Sequence, residues 1–252
     1  MIAGAARPDR TGRAVLVAAV VMLAAVTAAP RSPATRRRLP GLMLWAWERP
    51  TDLRDLPGGA GVAFLSQTIT LTSSSFDVQP RRQRLQVLPI TPLVAVTRIE
   101  TRSSAPPNLD NGQLARVAEV IAATGRLPRV RGLQIDFDAT RSERPFYRRL
   151  LHAVRGRTGA DTFLSVTALA SWCMHDGWLD GLPVDEVVPM LFRMGAGERM
   201  PGRLTQPACA GSLGLALDEP LPPSLIAPRT YVFNPGPWSA ASIAEASRRA
   251  GR

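Results

Sequence analysis

VRGLQIDFDAT, residues 130–140, is a run of strand-forming residues that ends on two carboxylates. Because side chains alternate across a β-strand, its polar and apolar residues separate onto two faces. The polar face carries Gln134, Asp136 and Asp138. The apolar face carries Leu133, Ile135 and Phe137. Two carboxylates about 7 Å apart are costly to bury. The polar face is therefore predicted to open on a polar cavity, the candidate active site.

Apolar runs on either side of this stretch recur at intervals typical of a parallel barrel. Eight strands are predicted, at residues 41–48, 62–71, 93–100, 130–140, 163–169, 187–194, 212–217 and 229–234. Polar residues collect at their C-terminal ends, where barrels of parallel strands carry their sites. Residues 72–86 are too rich in Ser, Pro and Arg for a core helix and are predicted to form an excursion or hairpin. Residues 52–56 have room for one helical turn.

Only three or four helices are convincing. The clearest covers residues 111–124, capped by Asp110 or Asn111. Another begins near residues 142–145, and the last covers residues 240–250. The predicted fold class is α/β, a (β/α)8 TIM-like barrel with a thin, partly irregular helical layer. A doubly wound open sheet would also fit the strands, but no glycine-rich nucleotide loop follows the first one.

The N-terminus lies outside the predicted barrel domain. Three arginines precede the apolar run of residues 14–25, and small residues follow at 27–29. Residues 1–29 are therefore predicted to be an export signal peptide. An uncleaved membrane anchor and a start codon placed too early are the alternatives. A Pro/Arg linker, residues 30–40, leads into the barrel domain, residues 41–252. We expect an exported protein: periplasmic, secreted, or membrane-anchored on the outer face through the apolar run, residues 14–29.

The strong basic charge does not predict a nucleic-acid partner. The net charge is +11, but all 31 basic residues are arginine, which a coding bias explains. The basic clusters lie in a linker and a predicted hairpin loop and have no aromatic residues interleaved, which is a weak pattern for nucleic-acid binding. Contact of residues 31–38 with anionic lipid is the better alternative. Without lysine the chain can form neither a Schiff base nor a Walker loop, and no cofactor is predicted.

The two cysteines, Cys173 and Cys209, are predicted not to pair. The predicted strands place one of them just after a strand and the other just before a strand, at opposite ends of a parallel sheet. Both are expected to be small buried hydrophobic residues.

Four carboxylates are candidates for catalysis: Asp136, Asp138, Glu48 and Glu100. Glycoside hydrolysis needs a protonated carboxyl to donate to the leaving oxygen, and an ionised group to stabilise the oxocarbenium ion. Repulsion between Asp136 and Asp138 would raise the pKa of one carboxyl and divide these roles. Glu48 and Glu100 end other strands on the same predicted face, so either could be the second carboxylate.

A structural role for the central pair is the alternative. Asp136 and Asp138 would then be bound by arginine in the barrel mouth, with Arg98, Arg131 and Arg193 as the candidates. Two further acids, at residues 218 and 219, also end a strand, but they precede a proline and are expected to cap a loop.

Substrate contacts are predicted for seven further residues: Gln134, Trp172, His175, Asp176, Arg193, Asn234 and Trp238. Indole rings stack on the C–H faces of sugars, so Trp172 and Trp238 are expected to face the ligand, whereas Trp45 is expected in the core. Arg193 could hold an anionic group. With two histidines a His-rich zinc site is impossible, and no metal is predicted. A Mg²⁺ or Ca²⁺ site, using His175 and Asp176 with the central acids, is the alternative.

Three motifs carry a resemblance to a known family. WAWERP (residues 45–50), QIDFDAT (134–140) and VPMLFRMG (188–195) resemble a bacterial domain-of-unknown-function family in the TIM-barrel glycosidase superfamily. The likeness runs from Leu39 to Trp238. It implies a barrel fold and a link to carbohydrate, with no established reaction.

The stretch from Gly132 to Asp138 is more distantly similar to chitinase-type glycosidases (family eighteen). Their fourth strand ends in Gly-x-Asp-x-Asp-x-Glu, and the Glu is the proton donor. Here Gln134 stands at the first Asp, Asp136 at the second, and Asp138 at the Glu. Since Asp is one methylene shorter, a donor there would sit about 1.5 Å further from the glycosidic oxygen.

The sequence therefore favours an exported glycoside hydrolase-like protein acting on a cell-envelope or extracellular polysaccharide. Asp138 is the expected proton donor and Asp136 its electrostatic partner, and the partner molecule is a poly- or oligosaccharide. A non-catalytic saccharide-binding barrel and an envelope interaction protein are the alternatives. Whether the chain is an enzyme stays open at this point, as do its oligomeric state, sugar and linkage.

Overall fold

The computed structural model describes residues 39–195, 200–222 and 224–251. The predicted signal peptide or anchor lies outside these residues. The strands are β1 (Leu42–Ala46), β2 (Thr51–Asp52), β3 (Ala60–Thr72), β4 (Ser75–Pro80), β5 (Leu85–Gln86), β6 (Leu93–Thr101), β7 (Val130–Asp136), β8 (Phe163–Leu169), β9 (Glu186–Met190), β10 (Ser212–Ala216) and β11 (Arg229–Phe233). The α-helices are α1 (Asn111–Thr124), α2 (Arg144–Thr158), α3 (Ala170–His175) and α4 (Ala240–Ala250).

Eight of these strands close into a parallel barrel. Their order is β1, β3, β6, β7, β8, β9, β10 and β11, and β11 pairs with β1 to complete the ring. The predicted TIM-like barrel is confirmed, with all eight predicted strands in place. β4 pairs antiparallel with the long β3, which confirms the predicted hairpin. No helical turn forms at residues 52–56: Thr51 and Asp52 form β2, which pairs with β5, and a plain turn follows.

The helical layer is thin, as predicted. The side chain of Asp110 caps α1 by accepting a hydrogen bond from the backbone N–H of Gln113 at 2.7 Å. The apolar sides of α1 and α2 pack on the outward faces of β6, β7 and β8 in one buried cluster. Of the described residues between β9 and β10, only Pro207–Cys209 are helical, in a single 3₁₀ turn. Within the described part of the chain, no helix combines the length and the apolar character that crossing a membrane requires.

The barrel interior is filled by the inward-facing side chains of successive layers. Near the N-terminal end of the strands, the buried Glu186 carboxylate accepts a hydrogen bond from Tyr231 Oη at 2.8 Å and forms an ion pair with Arg229. The next layer is held by Trp45, whose Nε1 donates to Gln134 Oε1 at 2.7 Å. Because both layers are packed and hydrogen-bonded, the space that the described residues leave inside the barrel lies beyond them, at the C-terminal end.

Cys173 and Cys209 form a disulfide, so the prediction that they do not pair is wrong. The strand order alone places them at opposite ends of the sheet. In the structure, α3 packs on the outside of the barrel, and the segment between β9 and β10 passes beside it. The backbone N–H groups of Thr205 and Gln206 both donate to the carbonyl of Cys173, at 3.0 and 3.1 Å. These contacts bring Cys209 to the helix.

Candidate functional site

A cavity of about 660 Å³ opens at the C-terminal end of the barrel. Its lining includes six side chains that lie within the C-terminal part of a barrel strand or directly after it. These are Trp47, Arg98, Asp136, Leu169, Met190 and Phe233. The end of VRGLQIDFDAT thus lies where the sequence predicted, at the mouth of a barrel.

Asp136 lies at the bottom of this cavity and is only 2% exposed. Its two oxygens accept hydrogen bonds from different neighbouring strands. Thr167 Oγ1 on β8 donates to Oδ1 at 2.7 Å, and Arg98 Nη1 on β6 donates to Oδ2 at 2.7 Å. A buried carboxylate is tolerated only with such partners. Asp136 is therefore fixed in position by the barrel itself.

Asp138 lies two residues after Asp136, at which β7 ends. The strand ends at Asp136 rather than continuing to residue 140 as predicted. The Asp138 side chain is 46% exposed and lines the cavity, with Arg98 Nη2 at 3.9 Å from its Oδ2. Burial raises the pKa of the Asp138 carboxyl, and the charge of Asp136 raises it further, against the opposing charge of Arg98.

Arg98 connects three of the acids in this region. Besides Asp136 and Asp138, it donates from Nε to Glu100 Oε1 at 3.0 Å. Glu100 is therefore near the two aspartates, as predicted, but is turned toward the same guanidinium. If Asp136 and Asp138 had only a structural role, Arg98 was one of their expected partners, and Arg98 does contact both. Of the three acids, Asp138 lies furthest from the Arg98 guanidinium, and it lines the cavity.

The rest of the cavity wall is largely apolar. It is built from the end of β8 and α3, from β9 and the residues after it, and from the end of β11. Phe192 stacks on Phe233, with ring centroids 5.6 Å apart and planes inclined by 10°. Three thioethers, Met174, Met190 and Met194, line the same side. The cavity therefore has a charged sector on β6 and β7 and a mainly apolar sector, in which Arg193 is a charged exception.

Two of the predicted site residues serve other purposes. Glu48 does not reach the two aspartates: its Oε1 accepts hydrogen bonds from the backbone N–H groups of Arg82 and Gln83, at 3.0 and 2.9 Å. Gln134 is fully buried below the cavity, where it accepts from Trp45 and donates to Ser165 Oγ at 3.1 Å. Gln134 lies one layer below Asp136 on the inward face of β7, too deep to touch a ligand. Its hydrogen bonds link β1, β7 and β8 inside the barrel.

The two tryptophans expected to face a ligand lie outside the barrel. Trp172 is 2% exposed and packs edge-on against Trp178 at 4.8 Å between ring centroids. Trp238 donates from Nε1 to the carbonyl of Trp45 at 3.0 Å and packs in the layer beneath α4. The indole that does line the cavity is Trp47. Position near a strand end was too coarse a signal, because such residues can turn outward as easily as inward.

The remaining predicted binding residues surround the mouth or lie beside it. Arg193 lines the cavity and is held by Asp218 at 2.7 Å, and by Glu219, the two acids expected to cap a loop. Asp176 is paired with Arg144, and His175 is exposed at the end of α3. The Asn234 amide donates to the carbonyl of Pro237 at 3.0 Å, within its own loop.

Sequence reasoning missed several residues that line or support the cavity. Met190 and Phe233 were detectable, since each is the last inward residue of its strand, and Thr167 lies on the inward face of β8, two residues before Leu169. Arg49 lines the cavity from the loop after β1, where its Nη1 donates to the carbonyl of Pro235 at 2.6 Å. No strand periodicity applies in that loop, so no signal marked it. Among the described residues, no cluster of three His, Cys, Asp or Glu side chains could hold a metal ion.

No known protein-family model matches the chain, and no curated protein sequence matches it. The fold that the three motifs implied is present: an eight-stranded parallel barrel with a few helices. At the level of the site, the chain carries paired aspartates at the end of the fourth barrel strand, opening on a cavity with one charged and one apolar side.

Proposed function

We propose that the protein is a glycoside hydrolase of the TIM-barrel glycosidase type, in which Asp138 donates a proton to the leaving oxygen. Asp136 is its electrostatic partner. The observation that carries this proposal is the setting of Asp138: a carboxyl that lines a cavity of about 660 Å³ and whose pKa is raised by burial and by Asp136.

A raised pKa suits a general acid because the carboxyl keeps its proton closer to neutral pH. The two aspartates differ in the way this chemistry needs. Asp136 is buried and accepts two hydrogen bonds, whereas Asp138 is half exposed and lies 3.9 Å from the nearest guanidinium nitrogen. Asp138 can therefore exchange a proton with a ligand, and Asp136 can act only through its charge.

Export of the protein is part of the proposal. The N-terminal apolar run supports it, and so does the disulfide, since disulfides persist mainly in oxidising compartments. The substrate in that setting is a cell-envelope or extracellular saccharide.

A non-catalytic saccharide-binding barrel is the second candidate. The observation that favours it is the position of Arg98, which binds both Asp136 and Glu100. A retaining or inverting hydrolase needs a second carboxyl able to act as nucleophile or base. In this arrangement both neighbours of Asp138 are engaged by one guanidinium.

Turnover of methyl glycosides of common hexoses and N-acetylhexosamines, whose alkoxide leaving group needs a proton, separates the two candidates. For a hydrolase, we expect Asp138→Asn to lower kcat by about 10²–10⁴-fold, the usual contribution of a general acid. Asp138→Glu keeps a titrating carboxyl and is expected to retain part of the rate. Asp161→Asn, an exposed acid before β8 at the opposite end of the barrel, is the matched control and should not change turnover.

Affinity for the same sugars, measured by calorimetry, completes the test. A binding module keeps its affinity in both Asp138 variants and shows no turnover in the wild type. Unchanged turnover in Asp138→Asn would exclude Asp138 as the proton donor.

A further inference from the structure

The cavity is divided by strand position into two sides of opposite character. β6 and the end of β7 supply three charged side chains, Arg98, Asp136 and Asp138. The residues after β1 and β9 add Arg49, which donates to the carbonyl of Pro235, and Arg193, which is paired with Asp218 and Glu219. The sector formed by β8, β9 and the residues that follow them supplies Met174, Met190 and Met194. A ligand that fills the whole cavity must therefore touch a charged wall and an apolar wall at once.

The apolar wall is open rather than packed away. Met174, Met190, Phe192, Met194 and Phe233 are all only partly buried. Side chains of this kind gain free energy when a ligand covers their remaining surface. Thioethers also adapt their shape to a flexible apolar partner, which is why methionine is common on surfaces that bind varied apolar groups.

A sugar without an apolar substituent would find few hydrogen-bond partners on the apolar wall. Its hydroxyl groups need hydrogen-bond partners on all sides, since a buried hydroxyl without a partner costs free energy. On the side of the three methionines, the described residues that line the cavity offer two polar side chains, Ser171 and Arg193, and the Arg193 guanidinium is already paired with Asp218 and Glu219. An alkyl or acyl chain, by contrast, matches that wall along its whole length.

We infer that the ligand is an amphiphile: a saccharide that carries an apolar alkyl, acyl or isoprenoid group. Its sugar lies against Asp138 and Arg98, and its apolar group lies along Met190, Phe192 and Met194. The inference rests on the proposed function, because it places the sugar at Asp138. It narrows the substrate class from polysaccharide to glycolipid-like molecules, which occur where an exported protein meets a membrane.

Binding of alkyl glucosides and alkyl N-acetylglucosaminides with butyl, hexyl and octyl chains tests the inference. All are used below their micelle-forming concentrations, with full-length protein and calorimetry. Each buried methylene is expected to tighten binding about threefold to fourfold, so octyl should bind far more tightly than butyl. Affinities that do not depend on chain length would overturn the inference, and so would an octyl sulfobetaine that binds as tightly as the octyl glycosides.

Two variants locate the effect. Met190→Gln keeps the length of the side chain but makes it polar, and it should weaken octyl binding at least fivefold and butyl binding by a smaller factor. Met200→Gln is the control, because Met200 is a partly buried methionine that packs in the same apolar cluster as Met174 and Met194 but does not itself line the cavity. Equal loss in both variants, or in neither, would overturn the inference.

Release of free sugar from the same alkyl glycosides tests the proposed hydrolase activity independently of binding. Chain-length-dependent binding without release of sugar would keep the amphiphile site and contradict the hydrolase. Hydrolysis of short-chain and long-chain glycosides with the same KM would keep the hydrolase and contradict the amphiphile site.

Discussion

Arg98 places one positive charge among three acids, and the strength of its contacts differs from one acid to the next. It lies 2.7 Å from Asp136, 3.0 Å from Glu100 and 3.9 Å from Asp138. Coulombic attraction weakens with distance and with exposure to water. Asp138 therefore receives the least compensation for its burial, and this is why its pKa is raised despite a nearby guanidinium.

The raised pKa of Asp138 predicts a pH-dependent stability difference in Asp138→Asn. The folded state binds the Asp138 proton more tightly than the unfolded state, whose pKa is near 3.8. Wild-type stability therefore falls as pH rises from 3.8 through the folded pKa, and the variant escapes this loss. We expect a relative gain of about 0.5 kcal/mol at neutral pH, kept small because water screens a half-exposed group.

Urea denaturation at pH 3.5 and pH 7 measures this difference. The quantity that matters is the change in variant-minus-wild-type stability between the two pH values, so other effects of the substitution cancel. Asp161→Asn should show no such change. A variant that gains stability toward acid instead would mean that the pKa of Asp138 is lowered, and the charge arrangement described here would be wrong.

At the scale of elements, the alternation of side chains along each strand explains both the cavity and the packed layers below it. Inward residues of β7 run from Gly132 through Gln134 to Asp136, so one strand contributes to a tight layer, a polar core layer and the site. The tight layer needs a glycine. A Cβ at Gly132 would lie 2.9 Å from the carbonyl oxygen of Phe163.

Gly132→Ala is accordingly expected to destabilise the fold by about 1–3 kcal/mol, because a backbone atom cannot move aside as a side-chain end can. Gly156→Ala is the matched control. That glycine is exposed within α2, with nothing within 4 Å of the added Cβ, and alanine there should stabilise the helix by up to about 1 kcal/mol. Thermal unfolding of both variants gives the comparison. If Gly132→Ala lowered the Tm no more than Gly156→Ala, the layer at Gly132 would be loosely packed.

At the scale of the whole molecule, the disulfide stabilises the part of the barrel that has the least helical cover. Cys173 on α3 and Cys209 before β10 are 36 residues apart, and the loop between them contains β9 and the cavity-lining residues Phe192 to Gly195. The bridge therefore closes the segment that forms the apolar wall. Among the described residues between β9 and β10, one 3₁₀ turn is the only helical structure, so little else covers this side of the barrel.

Replacing both cysteines by serine is expected to lower the free energy of unfolding by about 3–4 kcal/mol, from the entropy of the closed loop. For a domain of this size that corresponds to a fall in Tm of roughly 10 °C. Dithiothreitol should lower the wild-type Tm by a similar amount and leave the double variant unchanged. A wild-type Tm that does not move when thiol titration shows full reduction would mean that the bridge adds no stability.

The positions of the strands followed from the sequence because each is a local pattern. Apolar runs of the right length, turn residues between them and the capped helix α1 need only neighbouring residues to specify them. The same alternation was enough to place Asp136 on an inward face. It did not separate Gln134 from Asp136 by depth, because depth depends on how far each strand extends into a closed barrel.

The sequence by itself determined a barrel of eight parallel strands with a pair of acids at the end of the fourth. Only the tertiary structure decided which neighbours those acids have, that Glu48 and the two tryptophans Trp172 and Trp238 lie away from them, and that the cysteines meet. The physical reason is that these outcomes depend on residues far apart in the chain. Closing the barrel brings Arg98, Asp136 and Thr167 together from three strands, and α3 turning outward brings Cys173 to Cys209, and no local pattern encodes either approach.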